Sequence, residues 1–226
     1  MALPQLGPIL PFLAERGIVL DPDRQGRIGL LVDLLERWNR AINLTAVRGT
    51  LEILVRHVLD SLMLEALGWP GPGLDVVDIG SGAGLPGLLI ALLHPDCRVT
   101  SVETVAKKIS FQTEAARQMD LPNFVPLRQD VFALAQGGPD GGAFDLAVTR
   151  AFAELKVLLP LAARLLRPGG RLWAFKGARL PEEEAALDAR ALEPFEPEVR
   201  RYEYRFDTLH WGGVIVVYRK RGGEAL

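Results

Sequence analysis

Cysteine is all but missing from this chain. Its 226 residues include one, Cys97, which excludes an internal disulfide framework and a multi-cysteine zinc cluster and fits a reducing interior. Three histidines, His57, His94 and His210, leave little for a conventional zinc site, so no metal is expected. An excess of charge is lacking too. With 26 basic and 28 acidic residues the formal net charge is −2, which argues against a simple basic coat for nucleic acid but leaves a local patch open. No stretch reaches the roughly 18 uncharged apolar residues of a membrane span. The opening MALPQLGP has no basic region ahead of a long apolar run, so no signal peptide is expected. What remains is ample for folding. Hydrophobic residues make up 49% of the chain, enough for one well-developed core or two small ones.

The first 70 residues read as helices without strands. Ile28, Leu31, Leu35, Trp38 and Ile42 recur at three and four, one apolar stripe on a helix over 25–42. A second helix is expected over 50–67, with Thr50 as its cap and Leu51, Leu54, Val55, Val58 and Leu62 on its buried side. The run Gly68-Trp69-Pro70-Gly71-Pro72-Gly73 then interrupts helix and strand alike. Beyond it the period changes. Short apolar runs at 74–79, 98–102, 124–127, 144–148 and 171–175 alternate with helical stretches at 85–93, 104–119 and 154–166. That alternation predicts a parallel sheet with helices on both faces. One more helix over 181–192, and two strands at 198–205 and 214–219, would close the sheet with an antiparallel edge. The organisation expected is a helical N-terminal cap over 1–70 and a Rossmann-like domain over 71–226.

The sharpest local signal is Val76-Val77-Asp78-Ile79-Gly80-Ser81-Gly82-Ala83-Gly84-Leu85-Pro86-Gly87. Small residues let a strand turn tightly into a helix and leave room for a cofactor above the sheet edge. No GK[ST] follows, so the phosphate loop of ATPases is absent. Asp78 lies just before the turn, where a carboxylate suits the amino group of a methionine-like tail. Glu103 ends the second strand, 21 residues after Gly82, where it can accept from both ribose hydroxyls. That position serves a dinucleotide and S-adenosylmethionine alike. Asp130 follows the third strand and could accept from an adenine amino group.

Several motifs in order resemble one family. They are Trp38-Asn39-Arg40-Ala41-Ile42-Asn43-Leu44-Thr45, Val55-Arg56-His57-Val58-Leu59-Asp60-Ser61, the stretch Asp78 to Gly87, Lys107-Lys108-Ile109-Ser110-Phe111, Thr149-Arg150-Ala151-Phe152-Ala153, and Arg167-Pro168-Gly169-Gly170 through Lys176-Gly177. The chain resembles the bacterial small-subunit ribosomal RNA guanine-N7 methyltransferases, the glucose-inhibited division protein B family. The resemblance implies an α/β fold, the Rossmann-like sheet of class I S-adenosylmethionine-dependent methyltransferases behind a helical cap. It implies methyl transfer to N7 of a guanine in 16S ribosomal RNA, by a cytoplasmic monomer acting on that RNA or on the small ribosomal subunit, away from membranes. S-adenosylmethionine would be held by Asp78, Gly80, Ser81, Gly82, Gly84, Leu85, Glu103, Asp130, Val131 and Arg150.

Arg150 and Lys176 follow apolar strands, where a buried charge needs a partner. They either pair with acids across the sheet edge or hold phosphate or a purine edge as the catalytic pair, the role the resemblance favours. Asn39, Asn43 and His57 are expected to hold the cap over the cofactor mouth, or to serve as hydrogen bonds within it. Lys107 and Lys108 are candidate phosphate contacts, and Trp211 is a candidate for stacking. The family usually carries a basic residue and a Glu where Asp130 and Phe132 stand here, and an Arg-His pair where Gly213 and Val214 stand. Two other readings therefore stay open: an enzyme of the same fold acting on another RNA or a small molecule, and a non-catalytic RNA-binding or assembly factor.

Overall fold

The computed structural model describes residues 6–136 and 142–222. The chain begins with α1 (Leu10–Ala14) and α2 (Pro22–Ile42). Asp21 caps α2 by accepting from the Arg24 N–H at 2.8 Å, and Pro22 occupies the first turn, where its missing donor costs nothing. Helix α2 stops at Asn43, whose left-handed backbone (φ 50°) turns the chain away. Next come α3 (Thr50–Ile53), a π-helical turn over Leu54–Leu59 and α4 (Asp60–Leu62). Thr50 does not cap this helix. Gly49 stands at the cap, and the Thr50 hydroxyl donates instead to Glu36 of α2 at 2.6 Å.

The alternating part follows as β1 (Asp75–Ile79), α5 (Gly87–Leu93), β2 (Arg98–Glu103), α6 (Ala106–Gln118), β3 (Phe124–Arg128), α7 (Val131–Leu134), β4 (Phe144–Arg150), α8 (Leu155–Leu165) and β5 (Leu166–Lys176). The expected helix over 181–192 is broken into α9 (Leu180–Ala185) and α10 (Ala189–Leu192), because Asp188 caps a fresh helix by accepting from the Ala191 N–H. Strands β6 (Arg200–Phe206) and β7 (Trp211–Arg219) finish the sheet. Its order is β3-β2-β1-β4-β5-β7-β6. The first five strands are parallel, while β7 runs antiparallel to both β5 and β6. Pro126 is tolerated in β3 because that strand is an edge.

Period-two alternation sorts the strands into two cores. Val76, Leu146, Val148, Trp173, Phe175 and Ile215 face the side covered by the N-terminal helices, α5 and α6. Val77, Ile79, Ala147, Leu172, Ala174 and Val216 face α8 and its neighbours. The helical segment therefore shares one continuous core with one face of the sheet. Trp69 fills the junction, stacked on His94 at 3.7 Å and edge-on to Trp173 at 5.7 Å. Strand β1 has β2 on one side and β4 on the other, so chain order reverses there and a crevice opens at the strands' carboxyl ends.

Phe111 of α6 is fully buried and meets half-buried Trp38 of α2 edge-to-face at 5.6 Å. Phe111→Ala should cost about 3–5 kcal/mol of folding stability. Urea unfolding should show a lower midpoint; a loss under about 1 kcal/mol would contradict this packing.

Candidate active site

The glycine turn occupies the crevice at the end of β1. Gly80 sits at φ 62° and its Cα abuts the Phe152 ring, so a Cβ there would overlap that ring. Gly82 also has positive φ, yet the space where a Cβ would point is open. Gln112 of α6, fully buried, fixes the turn by donating to the Ser81 hydroxyl at 2.9 Å and the Gly82 carbonyl at 2.8 Å. Its own oxygen accepts from Ser101 at 2.9 Å. Leu85 is buried behind the turn and Gly84 approaches Leu88 and Gln112 closely.

Asp78 is wholly buried. Its Oδ2 accepts from the Gly87 N–H at 2.8 Å, whereas Oδ1 has no partner among the described residues. Loss of solvent pushes its pKa up to about 7, against the pull of the Gly87 N–H and of Arg150. A buried carboxylate oxygen without a donor is a place for an ammonium group. Glu103 is differently placed. Burial works to raise its pKa, but the Val105 N–H, the Lys108 ammonium and the Thr104 N–H together hold it below the usual carboxylate range. One Glu103 oxygen accepts from the Gly82 N–H at 3.1 Å and lies 3.3 Å from the Lys108 ammonium. Asp78 with its orphan oxygen, the open space above Gly82 and the carboxylate of Glu103 fit the ammonium, chain and ribose of S-adenosylmethionine in that order. Asp130 caps α7 through the Phe132 N–H at 2.7 Å and stays exposed; Val131 is buried beside it.

Asn39 and Asn43, expected either to hold the cap over the cofactor mouth or to serve as hydrogen bonds within it, make their side-chain bonds within the helical segment. Asn39 donates to the Val47 carbonyl at 2.8 Å and accepts from the Thr45 N–H at 2.9 Å, fixing the loop after α2. Asn43 accepts from Arg48 at 2.8 Å on the exposed side. Lys107 donates to the Ile42 carbonyl at 2.6 Å, satisfying the carboxyl end of α2 from the start of α6. Lys108 pairs with Glu103, so its charge serves the donor side of the site.

Arg150 lies at the meeting point of cap and sheet. It donates to the Arg56 carbonyl at 2.7 Å and to His57 Nδ1 at 3.0 Å, and its Nη1 stands 3.5 Å from Asp60 Oδ2. A guanidinium only donates, so His57 Nδ1 accepts and Nε2–H faces the Thr45 hydroxyl at 2.9 Å. Burial, and then Arg150, lower the His57 pKa to about 3, so it stays neutral and delivers no proton at ordinary pH. Asp60 Oδ1 accepts from the Tyr204 hydroxyl at 2.5 Å and from the Trp211 indole at 2.9 Å. Trp211 is thereby half-buried and also carries the Arg56 guanidinium 4.9 Å over its ring. Lys176 donates to Glu183 and to the Ala153 carbonyl, both at 2.7 Å.

These groups surround one cavity of about 850 Å³, walled by the glycine turn, Arg150, Phe152, Lys176, Glu183 and Trp211. Arg150 and Lys176 open into it together, as adjacent parallel strands deliver them. Each has an acidic partner, Asp60 for Arg150 and Glu183 for Lys176, which is the first of the two alternatives drawn from the sequence. Tyr204, Gln112 and Glu183 have no motif that marks them. Tyr204 had one sequence signal: it pairs across the hairpin with Gly213, where a Cβ would lie 2.7 Å from the Tyr204 hydroxyl. A side chain at 213 would make the Tyr204 phenol shift from its place against Asp60.

Two outcomes follow from the turn. Gly80→Ala should abolish donor binding through both the ring overlap and the left-handed backbone, read by calorimetry, with retained affinity as the contrary result. Asp78's raised pKa means that its contribution to stability is greatest below the ordinary value of 3.8 and falls as pH rises to about 7. Melting curves should therefore show wild type losing ground to Asp78→Asn across that window. Binding of S-adenosylmethionine near neutral pH should release a proton, because an ammonium at Oδ1 favours the carboxylate. Calorimetry in buffers of different ionisation enthalpy measures the release; a difference in melting that does not vary with pH, with no proton released, would contradict the reading.

Comparison with known proteins agrees with this geometry. The family described as rRNA small subunit methyltransferase G matches residues 25–198. A ribosomal RNA small subunit methyltransferase G of Aromatoleum aromaticum is 41% identical over 185 residues, covering 78% of this chain and 83% of the relative. Its namesake in Burkholderia thailandensis is 40% identical over 169 residues, covering 74% and 73%. Among solved structures, TrmN from Thermus thermophilus superposes with a TM-score of 0.56 at 24% identity over 72% of this chain, which spans about half (48%) of that longer protein. A fibrillarin/Nop5p complex gives 0.55 at 16% identity, covering 73% of this chain and 81% of that one. Those structural likenesses show the methyltransferase-type fold. The sequence matches show more, and the chain belongs to the rRNA small subunit methyltransferase G family.

Proposed function

We propose that this protein transfers a methyl group from S-adenosylmethionine to N7 of a guanine in 16S ribosomal RNA, and that residues 1–70 act as a cap over the site. The observation that carries the reading is one cavity joining the glycine turn to Arg150. S-adenosylmethionine, when bound, supplies an electrophilic methyl on a sulfonium. The N7 lone pair would take up that methyl, and the sulfur would keep the electron pair that held it. No proton leaves N7, so no general base is required, in keeping with a neutral His57. What the chain must provide is alignment. Asp78 receives the donor's ammonium, Glu103 its ribose hydroxyls, and Asp130 with the Val131 backbone its adenine. Arg150 presents a fixed fork to a phosphate or to the O6 carbonyl of the base, leaving the N7 lone pair free. Lys176 supplies a second positive group; Lys107 and Lys108, now held by the Ile42 carbonyl and by Glu103, are the candidate phosphate contacts. We propose a cytoplasmic monomer as the working form.

The test is transfer from labelled donor onto small ribosomal subunits from cells lacking the protein, followed by mapping. The expected product is 7-methylguanosine in 16S RNA. Label on a different atom, or none on ribosomal RNA from a protein that binds the donor, would overturn the reading and favour another substrate. Arg150→Ala and Lys176→Ala should keep donor affinity but lose single-turnover transfer, by about 10²-fold for Arg150 and less for Lys176. Each should reduce the salt dependence of RNA binding by up to roughly one unit of slope. Wild-type rates in both variants would contradict the assignment.

A further inference from the structure

Three carboxylates line the cavity: Asp60, Glu154 and Glu183. Asp60 is fully engaged, with Tyr204 and Trp211 on one oxygen and Arg150 on the other. Glu154 is engaged on both oxygens as well, by Arg179 at 2.7 Å and Lys156 at 2.9 Å, and it lies outward on the rim. Glu183 differs. Its Oε2 accepts from the Lys176 ammonium at 2.7 Å and from the Leu155 N–H at 2.9 Å, the latter an orphan donor at the start of α8. Its Oε1 makes no hydrogen bond with any described residue, although the side chain is only 11% exposed. A carboxylate so held cannot rotate without giving up two charge-assisted or helix-end contacts, so Oε1 is a fixed acceptor in the wall of the cavity.

We infer that Glu183 is the residue that recognises the target base as guanine, its Oε1 accepting from the N1–H and 2-amino edge. The inference rests on the methyltransferase reading above. If N7 faces the glycine turn at the end of β1, the Watson–Crick edge points the other way. Strand β5 lies two strands across the sheet from β1 by way of β4, about 9–10 Å away, and Glu183 is held beside its end by Lys176. That span suits a purine with a reacting atom at one end and a hydrogen bond at the other. Guanine offers two donors on this edge, and adenine offers an acceptor at N1 and no 2-amino group. A fixed carboxylate therefore favours one purine and repels the other. Arg150 reads a different edge, so two residues divide the recognition of one base.

The experiment compares small subunits reconstituted with guanosine or with inosine at the mapped position. Inosine keeps N7, O6 and N1–H and lacks the 2-amino group. Wild type, Glu183→Gln and Glu183→Ala are assayed by single-turnover transfer, with donor affinity measured for each as evidence of a folded site. Wild type should favour guanosine by roughly tenfold. In Glu183→Gln the Lys176 and Leu155 donors require the amide oxygen, which turns the NH₂ toward the base, so the preference should fall to within about twofold of unity. Glu183→Ala should lose it equally. A residue acting only through Lys176 would slow both substrates alike and leave the ratio intact. An unchanged ratio in both variants, or a wild type blind to the 2-amino group, overturns the assignment while methyl transfer to guanosine upholds the function. A wild type that methylates neither substrate removes the function and this inference together.

Discussion

The Arg150 guanidinium sits where the N-terminal helices meet the sheet, and much of the site is arranged around it. Arg150 needs acceptors, and they come from one short stretch of chain: the Arg56 carbonyl and His57 on the π-helical turn, and Asp60 just beyond it. Asp60 in turn requires donors for its second oxygen, which the β6–β7 hairpin supplies through Tyr204 and Trp211. Burial and the Asp60 carboxylate both push the Tyr204 phenol up, so it remains a donor. One cation thus ties cap, central strand and edge hairpin to one another. Isolated, any of these polar groups would be costly to bury; joined, each satisfies another.

Two groups of charges lie at the strand ends. Around the glycine loop they are acidic: Asp78, one oxygen of which has no partner among the described residues, and Glu103 with Lys108 against it. In the cavity, the acceptor side of the proposed reaction, each cation is matched by an acid, Arg150 by Asp60 and Lys176 by Glu183. The acceptor side is therefore close to neutral as a whole, in keeping with a chain of net charge −2. It is suited to hold a base by directed hydrogen bonds more than to attract a polyanion at long range.

Local chemistry made most of the fold legible. A glycine-rich turn after an apolar run, helical stretches of regular period and a terminal pair of strands leave few topologies, and the observed sheet is the one they describe. The acids around the glycine turn were legible for the same reason, since Asp78 and Glu103 stand at the ends of strands that flank it. The partners of Arg150 and Lys176 were not. Tyr204 is 144 residues from Asp60, and no periodicity reports a hydrogen bond across that interval. Helix breaks set by one side chain, such as the cap at Asp188, escape an apolar pattern that continues through them. Gly213, with Val214, was visible as a departure from the family, and its sense emerges only once the Tyr204 hydroxyl is seen lying over it.

The central claim is that Arg150 and Asp60 act as one unit that fastens the cap to the sheet. A double-mutant cycle on folding stability tests it most directly. Arg150→Ala and Asp60→Ala should each cost about 3–5 kcal/mol, because each leaves the other charge buried without its partner. The double variant should then be no less stable than the worse single one, a coupling of at least about 2 kcal/mol. Losses that simply add would contradict the account, and would mean that cap and sheet are held together by their apolar core alone.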